Sequence, residues 1–198
     1  LNSCANELGV SYNGMLNMTQ NKKPNFLLII TDQHRADHVG CYGHPVIKTP
    51  HIDTIAARGR MFEKFYVACA ICQPNRSTLM TGRMPSLHGV KHNGVPLDRR
   101  FNTFVDLMRV QGYKTALIGK SHLMNMTSNQ ARYGKPEPEN TKKPVPSNFQ
   151  LAVPVDHENS YYDQEHPKNW GEKSNFEVEL PFYGFNHVDL QTGHADGV

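Results

Sequence analysis

The chain has 198 residues, enough for one domain with a real core, and 38% hydrophobic with 20% charged residues is an ordinary soluble composition. The net charge is +3, and the lysines and arginines are scattered rather than gathered on a helix face or among aromatics, which argues against nucleic acid as a partner. No apolar run approaches the length of a membrane span, and four cysteines do not make a disulfide scaffold.

Residues 1–22 have no charged segment followed by an apolar one, so they do not read as an intact signal peptide. They are taken as a leader or a non-native extension, with Met18 as a natural start. "LNSC" matches the end of a lipoprotein signal only over a few residues. A cytoplasmic location is therefore expected, with a periplasmic or secreted one as the alternative. Asn17-Met-Thr and Asn125-Met-Thr fit the N-glycosylation pattern, which matters only in a eukaryotic secretory setting.

"NFLLIIT" (25–31) is a continuous apolar run, as expected of a strand buried on both faces of a sheet. It stops at Asp32-Gln33-His34-Arg35. Ligands gather at the carboxyl ends of strands in open α/β sheets, so Asp32 is a site candidate or, equally, a strand-end turn residue. Cys41 reads as a small buried residue. A helix follows, with Thr49 as N-cap, Pro50 in the first helical position and Gly59 as the stop. "MFEKFYVA" (61–68) is a second strand candidate. "NRSTLMT" reads as a short helix that opens near Pro74 and ends at Gly82. "FNTFVDLMRVQGY" reads as another, with Phe104, Leu107 and Met108 on one side and Gly112 at its end. "YKTALIG" (113–119) is a third strand, leading into "GKSH". Residues 125–174 are rich in Pro, Lys, Glu and Asn without periodicity and are read as an irregular surface insertion. "FEVELPFYGFNHVDL" regains strand-like patterning. The alternation gives an α/β class with a largely parallel sheet flanked by helices.

Cys69 and Cys72 are spaced C-x-x-C. A redox pair usually opens a helix with the first cysteine leading, whereas here the second lies nearest the predicted helix start. A zinc site needs further ligands at short spacing, and there is no second C-x-x-C. Two packed, inert thiols remain open as a reading.

The longer string Cys72-Gln73-Pro74-Asn75-Arg76, with Thr81-Gly82-Arg83 after it, resembles the C-x-P-x-R…T-G-R signature of the sulfatase family. "KPNFLLIITDQHRADHVGCYG" looks like that family's first strand and metal turn. "KTPHIDTIAARGRMF" looks like its first helix and the strand after it, and "GYKTALIGKSHL" resembles its later strand and Lys-x-His motif. Order and spacing agree over about half the chain, from Lys23 to Leu123. The resemblance implies an alkaline-phosphatase/sulfatase-like fold over 23–198, incomplete here, because sulfatases are much longer and draw further ligands from later segments.

The resemblance also implies a chemistry. The cysteine, Cys72 here, is oxidised to formylglycine by a dedicated formylglycine-generating enzyme. The aldehyde hydrate carries two hydroxyls on one carbon. One attacks sulfur and releases the alcohol; loss of the other proton regenerates the aldehyde and expels sulfate. A serine would stop at a stable sulfate ester. Asp32 and Gln33, with the modified Cys72, match the ligands of a divalent cation, Ca²⁺ first and Mg²⁺ or Mn²⁺ as alternatives. Many members carry a second aspartate where this chain has Gln33. Arg76 matches the residue that holds the hydrate, and Lys120 and His122 match contacts to sulfate and leaving group. The bland readings are a surface ion-pair arginine, a snorkelling lysine and a structural histidine. Arg83 is left out as a buttress. Asn75 stands where the family more often has Ser or Ala.

The expected activity is hydrolysis of a small-molecule or carbohydrate sulfate ester. The alternatives are a phosphonate monoester or phosphodiester hydrolase of the same superfamily, which Asp-Gln at the metal turn resembles, and an inactive fragment. Oligomeric state is left open by the sequence.

Overall fold

The computed structural model describes residues 23–99, 101–126, 162–171 and 176–191. Two compact units divide at Ile55 and Ala56. The leader, most of the 125–174 insertion and the last seven residues lie outside the described residues.

In the first unit the chain has no helix or strand from 23 to 31 and then makes two short 3-10 turns, Ala36–His38 and Gly40–Tyr42. The strand expected over 25–31 is not formed. Phe26, Leu27 and Ile29 are 68%, 87% and 69% exposed. An apolar run becomes a strand only when a neighbour pairs its backbone, and no ladder is made with it among the described residues. Helix α1, Pro50–Arg58, forms as expected. The Thr49 carbonyl accepts the Asp53 N–H at 2.8 Å. The Thr49 hydroxyl accepts from Gly40 N at 2.8 Å and donates to Asp53 Oδ1 at 2.8 Å, and that same oxygen takes the Cys41 N–H at 2.7 Å. These bonds tie the second 3-10 turn to the start of α1. Cys41 is only half-buried.

The second unit holds the core. Residues 61–68, the second strand candidate, form no strand, with Phe65 and Tyr66 about four-fifths exposed (79% and 84%). The same lack of a ladder partner among the described residues accounts for this. Helix α2, Cys72–Thr81, ends at Gly82 in the left-handed region at φ 65°, with the Gly82 N–H on the Thr78 carbonyl. Helix α3, Pro85–His88, follows. His88 is buried; its Nδ1 accepts the Val90 N–H and its Nε2 faces the Thr78 hydroxyl, so the bonds select a neutral ring. Burial pushes its pKa down to about 4.

Helix α4, Phe104–Val110, starts with a capping box: Thr103 Oγ1 accepts the Asp106 N–H and the Asp106 carboxylate accepts the Thr103 N–H. Its inward face is Val105 and Asp106, while Phe104 points outward, one position off the apolar side read from the sequence. The polar cap satisfies Asp106 inside, so the hydrophobic pattern misleads by one residue. Gly112 turns the chain at φ 83°.

Strand β1, Ala116–Gly119, pairs in parallel with β2, His187–Leu190, in the register Ala116 to His187 and Gly119 to Leu190. The parallel pair and the helices before it give the expected α/β class. Between them lies α5, Pro167–Gly171. Residues 162–171 fall in the span read as a surface insertion, yet Tyr162, Gln164 and Glu165 are buried, Glu165 completely. A composition that reads as solvated is drawn inward here by hydrogen bonds to the Tyr162 hydroxyl, Gln164 Oε1 and the Glu165 carboxylate. The core gathers Leu97, Phe101, Val105, Leu123, Met124 and Phe182 around the buried Tyr183. The Asn125 side chain is fully buried, which leaves no room for a glycan on that sequon.

Gly184 allows the close approach of the β2 arm to α4. At φ 90°, a Cβ there would sit 2.5 Å from the Asp106 amide nitrogen and 2.8 Å from the Val105 carbonyl carbon. Gly184→Ala is expected to lower unfolding stability by more than about 1 kcal/mol, through left-handed strain and the clash together. Urea unfolding of the variant checks this, and an unchanged midpoint would mean the two segments part without cost. Among the described residues no helix is long and apolar enough to cross a membrane.

Candidate active site

Cys72 is the first residue of α2, and its thiol is free and half-buried. The N-cap residue, Ile71, has no side-chain bond to offer the helix end. Asn93 supplies one from outside: its Oδ1 accepts the Gln73 N–H at 3.3 Å and faces the Cys72 Sγ at 3.4 Å. The helix start presents partial positive charge at Cys72. Cys69, three residues earlier, is also a free thiol.

Arg76 lies one turn on from Cys72, on the same face of α2. Its Nη1 donates to the Lys120 carbonyl at 2.8 Å. Lys120 follows the carboxyl end of β1, so the helix bearing Cys72 is fastened to the loop bearing Lys120 and His122. Gln73 makes a second fastening. It is fully buried, donating through Nε2 to the Val95 and Met124 carbonyls at 2.7 and 3.1 Å and accepting the Gly94 N–H on Oε1 at 2.7 Å.

The turn at 120–124 is unusual. His122 has φ 53°, a left-handed conformation that costs a non-glycine residue about 1–2 kcal/mol. Such strain persists where the surroundings over-determine it. Here they do: the Glu165 carboxylate accepts the N–H groups of His122, Leu123 and Met124 at 2.8, 2.8 and 2.6 Å. The Leu123 carbonyl is taken by Leu97 N at 2.7 Å. His122 is 5% exposed and Lys120 is half-buried.

Asp32 and Gln33 belong to the first unit, while Cys72, Arg76, Lys120 and His122 belong to the second. Asp32 and Gln33 are adjacent and exposed, and Gln33 has φ 48°. Their side chains are oxygen donors, the right kind for a hard dication, but two fall short of the six or more such an ion takes. No three His, Cys, Asp or Glu side chains among the described residues converge on a point that could hold a metal. Nearby, Arg35 pairs with Asp37 at 2.6 Å on the exposed surface, a contact of little energetic weight.

Arg83 stays out of this group. Its guanidinium stacks over Phe101, 5.0 Å from the ring centre, and reaches Asn102, a buttressing role. Three residues at the site were not singled out by sequence reasoning. Gln73 stands at a free position of the cysteine motif, Asn93 in an ordinary Asn-Gly turn, and Glu165 in a segment of solvated composition. Spacing carries no signal for any of them.

The family model for sulfatases matches residues 24–178. Arylsulfatase A of Bos taurus is 40% identical over 108 residues, half of this chain and 21% of that protein. An ulvan-active sulfatase of Formosa agariphila is 30% identical over 161 residues, 79% of this chain and 30% of its own length. Among solved structures, the phosphonate monoester hydrolase of Agrobacterium radiobacter superposes with a TM-score of 0.52 at 28% identity, over 88% of this chain and 27% of that one. The chain spans about a fifth of the length of the arylsulfatases it matches. With a cysteine opening α2, an arginine one turn later and a Lys-x-His turn after β1, all inside the matched span, the chain belongs to the sulfatase family.

Proposed function

We propose that this protein hydrolyses a sulfate monoester, with the nucleophile formed from Cys72 and with a bound divalent cation, Ca²⁺ first. The observation that carries the reading is the Arg76 bond to the Lys120 carbonyl. It draws the Cys72 helix and the Lys-x-His turn to one place, so a helix N-terminus, a guanidinium and an ammonium serve one anion.

Within this reading each residue has a task. Cys72 sits where the helix end favours negative charge on the attacking oxygen. Its oxidised form, as the hydrate, supplies two hydroxyls, one to take the sulfuryl group and one to release it. Arg76 orients that group while its Nη1 stays on the Lys120 carbonyl. Lys120 is a point charge for a sulfate oxygen. His122 gives a proton to the departing ester oxygen. Asp32 and Gln33 would hold the cation, together with ligands from elsewhere; when bound, it lowers the charge repulsion between nucleophile and substrate anion. The formylglycine-generating enzyme is the partner this requires. Carbohydrate sulfates are a suitable substrate class, in keeping with the ulvan-active relative.

A second reading is hydrolysis of a phosphonate monoester, favoured by the likeness to the Agrobacterium radiobacter enzyme and by Gln33 at the metal turn. Comparing turnover of an aryl sulfate and an aryl phosphonate decides between them. Faster sulfate cleavage is expected, and faster phosphonate cleavage would replace the first reading. Intact-mass measurement of protein co-expressed with the modifying enzyme is expected to show a loss of about 18 Da at Cys72, the change from thiol to aldehyde. An unchanged mass would count against the nucleophile.

A further inference from the structure

Glu165 is completely buried, and its carboxylate spends both oxygens on the turn that carries the Lys-x-His motif. Oε1 accepts the His122 N–H; Oε2 accepts those of Leu123 and Met124. Three successive N–H groups pointing at one anion form a backbone nest. The nest belongs to the same chain's Glu165, not to a substrate. The turn's carbonyls are held as well, by Leu97 N and the Gln73 amide, so Glu165 completes a frame with few other ways to arrange itself.

We propose that Glu165 is a positioning residue: by binding the amides of His122, Leu123 and Met124, it holds His122 in its left-handed turn and thereby aims Lys120 and His122 at the substrate anion. The inference deepens the sulfate-ester reading and rests on it for the identity of that anion. Glu165 touches the backbone of the turn and acts on substrate only through it.

The charge state of Glu165 matters to the frame. An ionised carboxylate accepts all three N–H groups; a protonated one presents an O–H where an acceptor was. Burial pushes its pKa up to about 7, and the three backbone bonds offset this only in part. Tyr183 faces it across the core, and burial holds the phenol protonated. His122 comes from the turn itself, and Asp163 and His166 flank it on its own segment. The direction of linkage follows. The folded carboxyl keeps its proton up to about 7 and the unfolded one only to about 4.5. The folded state therefore binds more protons between these values, and Glu165 makes stability fall as pH rises through that window. Order in the 122–124 turn runs the other way and increases as the carboxylate forms.

The test uses the purified protein and inorganic sulfate as probe. In the wild type, the amide resonances of His122, Leu123 and Met124 are expected to titrate together with one midpoint near 7. In Glu165→Gln, that titration disappears, the three amides exchange faster, and sulfate binds about tenfold or more weakly, as when an outer partner of a ligand is lost. Wild-type amides of His122, Leu123 and Met124 that exchange as fast as exposed ones overturn the anchor, and that arm needs no variant to fold. A folded Glu165→Gln with wild-type sulfate affinity overturns the positioning role. Joint titration in a wild-type protein that binds no sulfate supports the anchor and removes the sulfate-ester reading instead.

Discussion

Cys72→Ala is expected to remove turnover of an aryl sulfate, by roughly 10⁴-fold or more, while leaving the fold intact. The two halves of that expectation have separate grounds. The thiol makes one weak contact, to Asn93 Oδ1 at 3.4 Å, and is only half-buried, so its loss costs the folded state little. Alanine also suits the first turn of a helix. The chemistry, by contrast, has no substitute. Arg76 and Lys120 can still attract the anion, but nothing replaces the group that accepts the sulfuryl moiety. Cys72→Ser sharpens the result. Its single hydroxyl can take the sulfuryl group but cannot expel it, so one equivalent of alcohol is released and the reaction stops. Burst kinetics and the mass of the trapped protein read this out. Multiple turnovers by either variant would show that the nucleophile lies elsewhere.

What could be read in the sequence separates along physical lines. Helix ends are local events, and they were legible. Pro50 at the start of α1, Gly82 at the end of α2 and Gly112 after α4 all act as their residue types suggest. The parallel pairing of the "ALIG" segment was legible only as a class, since its partner lies some seventy positions on, at His187–Leu190. Residues 25–31 and 61–68 have strand composition, yet a strand is made by its neighbours, and neither segment has a ladder among the described residues. For the site, the motif names Cys72, Arg76, Lys120 and His122, the groups that act on the ligand in the proposed reaction. It is silent on Gln73 and Glu165, which face the backbone. A buried glutamate in a stretch rich in Pro and Lys has no pattern of its own, because what buries it is the geometry of a turn forty residues earlier.

Gln73 shows how much such a silent position can carry, and Gln73→Ala is expected to destabilise the protein by about 3–5 kcal/mol. The side chain is fully buried and every polar atom of it is used. Removing it strands the Gly94 N–H and leaves the Val95 and Met124 carbonyls each short of a donor. A buried polar group deprived of its partner costs about 1–3 kcal/mol, and water entering the space vacated would recover only part of that. Set against a total stability of about 5–15 kcal/mol, the change is a large fraction. Gln73→Met separates the two contributions, since it keeps the volume and removes the bonds. If hydrogen bonding dominates, the methionine variant loses nearly as much as the alanine one in urea unfolding; a methionine variant as stable as wild type would reduce Gln73 to a space-filler. Activity should fall with stability for a specific reason. Gln73 follows Cys72 directly in α2 and reaches the Met124 carbonyl, so it fixes the distance between the nucleophile's helix and the far end of the Lys-x-His turn. Arg76 fixes the near end through Lys120. With Gln73 gone the Glu165 and Leu97 bonds still hold the turn's own shape, but α2 loses its tie to the far end of it, and the anion would meet Arg76 and His122 in positions no longer set by one frame.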